Sequence, residues 1–349
     1  MAIQNITDEE KEARRELLNE KMGGLHLGGL WQTRKRLEAL QSHIWAWKDI
    51  WACLGEAGEV VAVDERAPMR TIQLINPTLE EVKATSRTIQ VSVQLLQTGE
   101  QANAHRHTQP QPRFIVEADG AYTTVDGEQI FMQTRDFIVT PGWGWHDHTN
   151  PSQNPAIWLD VHNPHLLGYL GAMFNERFGE KSVQPITHEE GYHLKRAGMY
   201  RAKAFTGGPS DVPMKYTWAD TLNALGELES AGESDPYEGV ILEYRSPVDG
   251  GPAMPTIGAH VQVLRPGEET KMHRHTDTTI YHVVEGSGAT SLGAQDEKTI
   301  EWDERDCFIL PPWEWHKHSN TSNKPAYLFS VTDAPAIDLL GFHQEERKP

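Results

Sequence analysis

The chain of 349 residues has only two cysteines, Cys53 and Cys307, too few for a disulfide framework. They read as two buried thiols of a reducing compartment. No run of about 18 apolar residues occurs, so no segment is a candidate bilayer-spanning helix. Bases are also scarce. Lys and Arg number 32 against 50 Asp and Glu, a formal charge of −18 at pH 7. That balance argues against nucleic acid and anionic membrane surfaces as partners. The opening MAIQNITDEEKEARRE is polar and acidic, unlike a secretory signal, and a cytoplasmic location is expected. The surpluses are 17 histidines and 11 tryptophans. The length points to about two domains.

Thr7 followed by Glu10 fits a capping box, predicting a helix through KEARRELLNEKM that stops at Gly23-Gly24. Residues 31–53 carry Trp31, Trp45, Trp47 and Trp51, aromatics expected to pack on a core or a subunit partner. From about residue 70 the texture changes. TIQLINP, TIQVSVQLLQ, RFIVEADGAYTTV, FIVTP and AIWLDVHNP are short β-rich runs punctuated by Gly, Pro, Asn and Asp, the texture of an antiparallel barrel or sandwich. Residues 165–181 read as helical again, and a mixed acidic stretch follows to about 250. Strands then resume with AHVQVLRPGE, TIYHVVEG, CFILPP and AYLFSV. The expected division is 1–70 helical and Trp-rich, 71–164 first barrel, 165–250 helical or irregular linker, and 251–349 second barrel.

The two β-rich regions are copies. The motif G-E-x4-H-R-H-T begins at Gly99 and again at Gly267, with His105 and His273 offset by 273 − 105 = 168. The motif D-x6-W-x-W-H-x-H begins at Asp136 and again at Asp306, with His146 and His316 offset by 316 − 146 = 170. On a strand, residues i and i+2 share a face, so H-x-H aims two imidazoles into one space. His105, His107 and His146 form one candidate metal set, and His273, His275 and His316 a second. Three neutral imidazoles suit iron, zinc, copper, nickel or manganese. Arg113, six residues after His107 on a strand, is placed near the lumen. His148 shares a face with His146 and is a candidate acid or base. Gln94, on the strand feeding the first H-x-H, is a candidate lining residue, and Gln90 and Ser92 leave room for a polar group.

G-x5-H-x-H, a Pro-rich strand and a later histidine resemble the two signature motifs of the cupins. Two such barrels behind a helical, Trp-rich segment resemble the bicupin ring-cleaving dioxygenases: gentisate, salicylate and 1-hydroxy-2-naphthoate dioxygenases. The resemblance covers roughly residues 20–345. It implies a mainly β fold of two double-stranded β-helix (jelly-roll) barrels with a helical N-terminal segment and linker. Many cupins carry a glutamate four or five residues after the second histidine. Here those positions are Gln111 and Pro112, then Thr279 and Ile280, which agrees with the three-histidine subgroup.

The resemblance further implies Fe(II) as cofactor and a homotetramer. The substrates implied are O2 and an aromatic ortho-hydroxy carboxylic acid, cleaved between its carboxyl- and hydroxyl-bearing carbons. Gentisate, giving maleylpyruvate, is the default; salicylate, 5-substituted salicylates and 1-hydroxy-2-naphthoate are the alternatives. Arg66, Arg70 and Arg113 are expected to grip the carboxylate, and Asp160 to orient His148 or meet a ring substituent. Tyr281 stands where the first copy has Arg113, and Ser330 where it has Asp160, so catalysis is assigned to the first barrel. Two other readings remain at this level. One is a bicupin decarboxylase or isomerase using manganese or zinc; the other is a storage or sensor bicupin. The intact histidines argue against the latter.

Overall fold

The computed structural model describes residues 7–25, 38–63, 69–179, 183–196 and 212–349. Arg66 and Trp31 lie outside the described residues. Helix α1 (Asp8–Gly24) belongs to a unit spanning residues 1–39, and everything from Leu40 onward to a second. Its start is a capping box. Thr7 N donates to Glu10 Oε2 at 2.8 Å, and Glu10 N to Thr7 Oγ1 at 3.2 Å. No helix among the described residues is long and apolar enough to cross a membrane.

The second unit opens with β1 (His43–Trp45) and α2 (Trp47–Val60). The first barrel follows: β2 (Thr71–Gln73), β3 (Gln90–Leu96), β4 (Gln101–His107), β5 (Gln111–Glu117), β6 (Asp119–Val125), β7 (Glu128–Gln133), β8 (Phe137–Thr140), β9 (His146–Thr149) and β10 (Ala156–His162). Then come α3 (Pro164–Tyr169), β11 (Asn175–Arg177), β12 (Met214–Tyr216) and α4 (Trp218–Ala231). The second barrel is β13 (Val240–Glu243), β14 (Gly258–Leu264), β15 (His273–His275), β16 (Thr279–Glu285), β17 (Gly288–Leu292), β18 (Lys298–Trp302), β19 (Cys307–Leu310), β20 (His316–Ser319) and β21 (Ala326–Thr332). Helix α5 (Ala334–Leu339) and β22 (Glu345–Arg347) end the chain.

Each barrel is two facing antiparallel sheets. The first has β12-β8-β5-β10-β3-β2 over β11-β4-β9-β6-β7; the second has β1-β19-β16-β21-β14-β13 over β18-β17-β20-β15-β22. The six-stranded sheets are copies strand for strand, but their outermost strands are exchanged. β1, ahead of the first barrel, pairs with β19 of the second, and β12, between the barrels, pairs with β8 of the first. The helix after each follows suit. Trp47 N, at the start of α2, donates to Asp306 Oδ1 at 2.7 Å, and Trp218 N, at the start of α4, to Asp136 Oδ1 at 3.0 Å. The duplication therefore includes a leading strand–helix pair, and each such pair docks on the other barrel.

The six-stranded sheets pack face to face. Val91, Val93 and Leu95 of β3 and Val261 and Val263 of β14 share one core with Phe114 and Phe329, whose rings stack at 4.4 Å. Period-2 alternation sends Gln90, Ser92, Gln94 and Leu96 to the opposite side, the first lumen. Two symmetric ion pairs tie the barrels: Arg135 to Glu285 at 2.8 Å and Arg305 to Glu117 at 3.0 Å. Of residues 165–181, expected as a helix, the described ones up to 179 include only the six-residue α3 as helix. Gly171, at φ +68, follows its last turn, and β11 then pairs with β4 along its edge.

Candidate metal centre

β4 and β9 bring the first histidines together, with His105 directly opposite His146. The ring centroids of His146 lie 4.4 Å from His105 and 4.8 Å from His107. One nitrogen from each of the three lies within 4.8 Å of the others. The local chain sets which nitrogen. His105 Nδ1 faces Asn103 O at 2.8 Å, His107 Nδ1 faces Gln109 O at 2.8 Å, and His146 Nδ1 faces Gly144 O at 3.0 Å. A carbonyl acceptor holds the proton on Nδ1 and turns the Nε2 lone pair inward. His146 Nε2 is buried and has no hydrogen-bond partner. Burial, with the neighbouring His105, pushes His107 down to about 4, and burial holds His146 well below its usual range. The set is neutral at pH 7, as metal ligands must be. Its chemistry fits a divalent transition metal.

Arg106, between the two β4 histidines, points the other way. Its guanidinium lies 4.5 Å from the rings of both Trp143 and Trp145 and is held by Glu176 of β11. The second copy repeats this, with Arg274 over Trp313 at 4.3 Å and Trp315 at 4.5 Å, held by Glu346. Trp143 and Trp313 sit at φ +64 and +65, a costly conformation for a bulky residue, present in both copies. The cage explains why H-R-H and W-x-W-H occur together. It fixes β4 against the loop into β9, and so fixes the ligand histidines.

Gln111 occupies the position of the usual cupin carboxylate. Its Nε2 donates to Asp160 Oδ1 at 2.7 Å, which fixes the amide. Its Oε1 then lies 3.1 Å from His107 Nε2. With the proton on Nδ1, two lone pairs face each other there, an arrangement a cation relieves.

Arg113 is fully buried, and its Nε lies 3.0 Å from Asp160 Oδ1, its cross-strand neighbour. Its Nη1 donates to Thr140, and its Nη2 is buried without a partner. Its positive charge reaches the lumen, since it depresses His105, His107, His146 and His148. His148 is buried against Trp158, ring centroids 5.1 Å apart, with Nδ1 unpartnered. Burial above all keeps it neutral. Asp160 thus orients Arg113 rather than His148. Gln94, opposite Trp158, is buried with both amide atoms unpartnered. Gln90 is committed elsewhere, its amide donating to Thr85 and Val91 O.

Arg70 does not join this group. Its backbone lies opposite Leu95, on the side of the sheet away from the lumen, and its guanidinium is bound by Glu100 and by Val61 O at 2.6 Å. Sequence reasoning also missed His162. Burial, then His107 and Arg113, push it down to about 3, and its Nδ1 is a buried orphan. The signal was available: Trp158, Asp160 and His162 alternate on one face of β10.

The second histidine set is built alike, with His273 opposite His316 and ring centroids 4.2 Å apart. Its lumen differs. The register pair Arg113–Asp160 becomes Tyr281–Ser330. Tyr281 stacks on Phe308 at 4.7 Å, and Phe308 faces Trp302 in parallel at 6.3 Å. An aromatic pile fills the space and brings no cation.

A family model described as a cupin domain matches residues 92–162 and 260–332. Gentisate 1,2-dioxygenase 1 of Aquipseudomonas alcaligenes is 35% identical over 98% of this chain and 97% of that protein. The 5-aminosalicylate 1,2-dioxygenase of a Comamonas species is 34% identical over 87% of this chain and 80% of that one. A crystal structure of salicylate 1,2-dioxygenase from Pseudoaminobacter salicylatoxidans with gentisate has a TM-score of 0.83 at 26% identity, covering 100% of this chain and 96% of that one.

Proposed function

The chain belongs to the gentisate and salicylate 1,2-dioxygenases, bicupin oxidoreductases that open aromatic rings, and from that premise we propose an Fe(II) enzyme whose first barrel cleaves the C1–C2 bond of gentisate or a related salicylate. The observation that carries the site assignment is the buried Arg113, with a free Nη2, beside a neutral histidine triad. His105, His107 and His146 hold the metal. Iron(II) supplies the redox chemistry that couples dioxygen to the ring.

The protein's own residues do the rest. Arg113 receives the substrate carboxylate through Nη2, since Nε and Nη1 already face Asp160 and Thr140. Asp160 fixes that orientation and keeps the buried guanidinium paired before a substrate carboxylate arrives. His148 Nδ1 is a proton acceptor or donor beside the ligand His146, their ring centroids 6.2 Å apart. Gln94 offers an unsatisfied amide to a polar ring substituent. With the histidines neutral and Arg113 compensated by Asp160, the bound metal would supply the positive field that offsets a net charge of −18. O2 is the second substrate.

The test is anaerobic reconstitution with iron(II), then oxygen uptake with gentisate, salicylate, 5-aminosalicylate and 1-hydroxy-2-naphthoate. Uptake with at least one, together with ring-opened product, is expected. No uptake with any ortho-hydroxy aromatic acid refutes the reading. A cytoplasmic homotetramer is part of it. Tyr169, Leu170 and Phe174 after the first barrel, and Leu339, Leu340 and Phe342 after the second, are exposed apolar side chains suited to subunit contacts. Mass measurement in solution tests that.

A further inference from the structure

The two lumens differ at one more cross-strand row. Two residues along from the Arg113–Asp160 pair come Gln111 and His162, as Thr279 and Thr332 follow Tyr281 and Ser330. The loop ahead of this row carries Gln109 in the first barrel and Asp277 in the second, by the offsets 277 − 168 = 109 and 332 − 170 = 162. In the second barrel this corner is closed. Thr332 Oγ1 donates to Asp277 Oδ2 at 2.5 Å, and Thr279 Oγ1 to the same oxygen at 3.4 Å. Asp277 Oδ1 lies 3.0 Å from His275 Nδ1.

In the first barrel the same corner is left unsatisfied. Gln109 Oε1 and His162 Nδ1 are both buried and both unpartnered. Their neighbours are engaged elsewhere. Gln111 donates to Asp160 and turns Oε1 toward His107. Gln90, directly opposite His162, commits its amide to Thr85 and Val91 O. Asn163 Nδ2 donates to Thr256 Oγ1 at 2.8 Å. Every residue of β10 before His162 is buried, whereas His162 keeps partial exposure, as do His105 and His107. His162 therefore stands near the mouth of the lumen, outward of the Arg113–Asp160 pair along β10.

We propose that Gln109 Oε1 and His162 Nδ1 form a subsite for a hydroxyl or amino group on the ring of the aromatic acid. Gln109 Oε1 only accepts, and a neutral imidazole nitrogen accepts or donates according to its tautomer. A ring group that donates to Gln109 satisfies both atoms, whereas a chloro or nitro group leaves Gln109 Oε1 buried and unpaired. The subsite is separate from Gln94. His162 and Trp158, the cross-strand partner of Gln94, lie about 13 Å apart along β10 at about 3.3 Å per residue, so the two read different ring positions. The substrate class is that of the ring-cleaving reading of the first barrel, on which this subsite rests.

The experiment titrates the iron(II)-loaded protein by anaerobic calorimetry. The ligands are salicylate and salicylates bearing one further hydroxyl, amino or chloro group at each free ring position. The wild-type protein should bind one hydroxylated or aminated acid at least about tenfold more tightly than its chlorinated counterpart, and His162→Leu should abolish that preference. Gln109→Met should reduce the same preference. His162→Asn, whose Nδ2 takes the place of Nδ1, should restore it to within about threefold of wild type. No such preference in the wild-type protein overturns the proposal. So does an unchanged preference in His162→Leu, or an equal weakening of salicylate and every substituted acid. Where His162→Leu does not fold, Gln109→Met decides by the same criterion. Oxygen uptake measured alongside separates the two readings. Selective binding without uptake overturns ring cleavage, and uptake without selectivity overturns the subsite.

Discussion

The second barrel supplies the control for the first barrel's ion pair. Arg113→Tyr leaves Asp160 as a buried carboxylate without its cation, and Asp160→Ser leaves Arg113 as a buried cation without its anion. Removing one member of a buried pair costs about 3–5 kcal/mol. Additive effects would make the double variant about 6–10 kcal/mol less stable. Tyr281 and Ser330 show that a tyrosine and a serine fit this same cross-strand position without charge. The double variant Arg113→Tyr with Asp160→Ser should therefore recover most of the loss, with a coupling of roughly 3 kcal/mol or more. Urea unfolding of the metal-free proteins measures it. Activity should not recover. Losing a buried charged hydrogen bond to substrate is worth about 2–5 kcal/mol, or about 30- to 3,000-fold in kcat/KM at about 1.4 kcal/mol per decade. Additive stability losses would refute the pair as an energetic unit. A double variant within threefold of wild-type kcat/KM would refute Arg113 as the carboxylate anchor.

Arg106→Gln should loosen the cage on Trp143 and Trp145 and lower iron affinity about 10–100-fold at unchanged ligand identity, read by iron titration against a chelator; unchanged affinity would reduce the cage to surface packing. The folded state holds His107 at about 4, below its unfolded value, so it stays neutral where the unfolded chain takes up a proton. The stability this contributes is complete above about 6.5 and is lost as pH falls toward 4. Urea midpoints of the metal-free protein at pH 7, 5.5 and 4.5 should decline in that order, and a flat series would contradict the burial argument. Gln94→Leu should change the ratio of kcat/KM for gentisate over salicylate by about tenfold while leaving bound iron at one equivalent in that barrel; an unchanged ratio would place Gln94 away from the ring substituent.

The duplication and both histidine sets were legible because identical residues recur at nearly constant offset and strand parity is simple. The Arg113–Asp160 exchange for Tyr281–Ser330 was legible for the same reason. Arg70 was misplaced because charge and proximity in sequence do not say which side of a sheet a residue faces. Its register opposite Leu95 does, and register needs the partner strand. The leading strand–helix repeat was hidden because HIWAW and MKYTW share little beyond the tryptophan that begins each helix. Gln111 read as a missing carboxylate, when its amide in fact joins His107 to Asp160.

The exchanged outer strands also set an order of events during synthesis. β12 leaves the ribosome soon after β8 and can close the first barrel while the second is still unmade. β1 emerges before both, yet its partner begins at Cys307, 307 − 45 = 262 residues beyond Trp45. At about 5–20 residues per second, β1 waits about 10–50 s with a bare hydrogen-bonding edge. The nascent chain therefore spends most of its production time with one sticky strand exposed. The last half of the protein is what makes the first half safe from its neighbours on the same messenger.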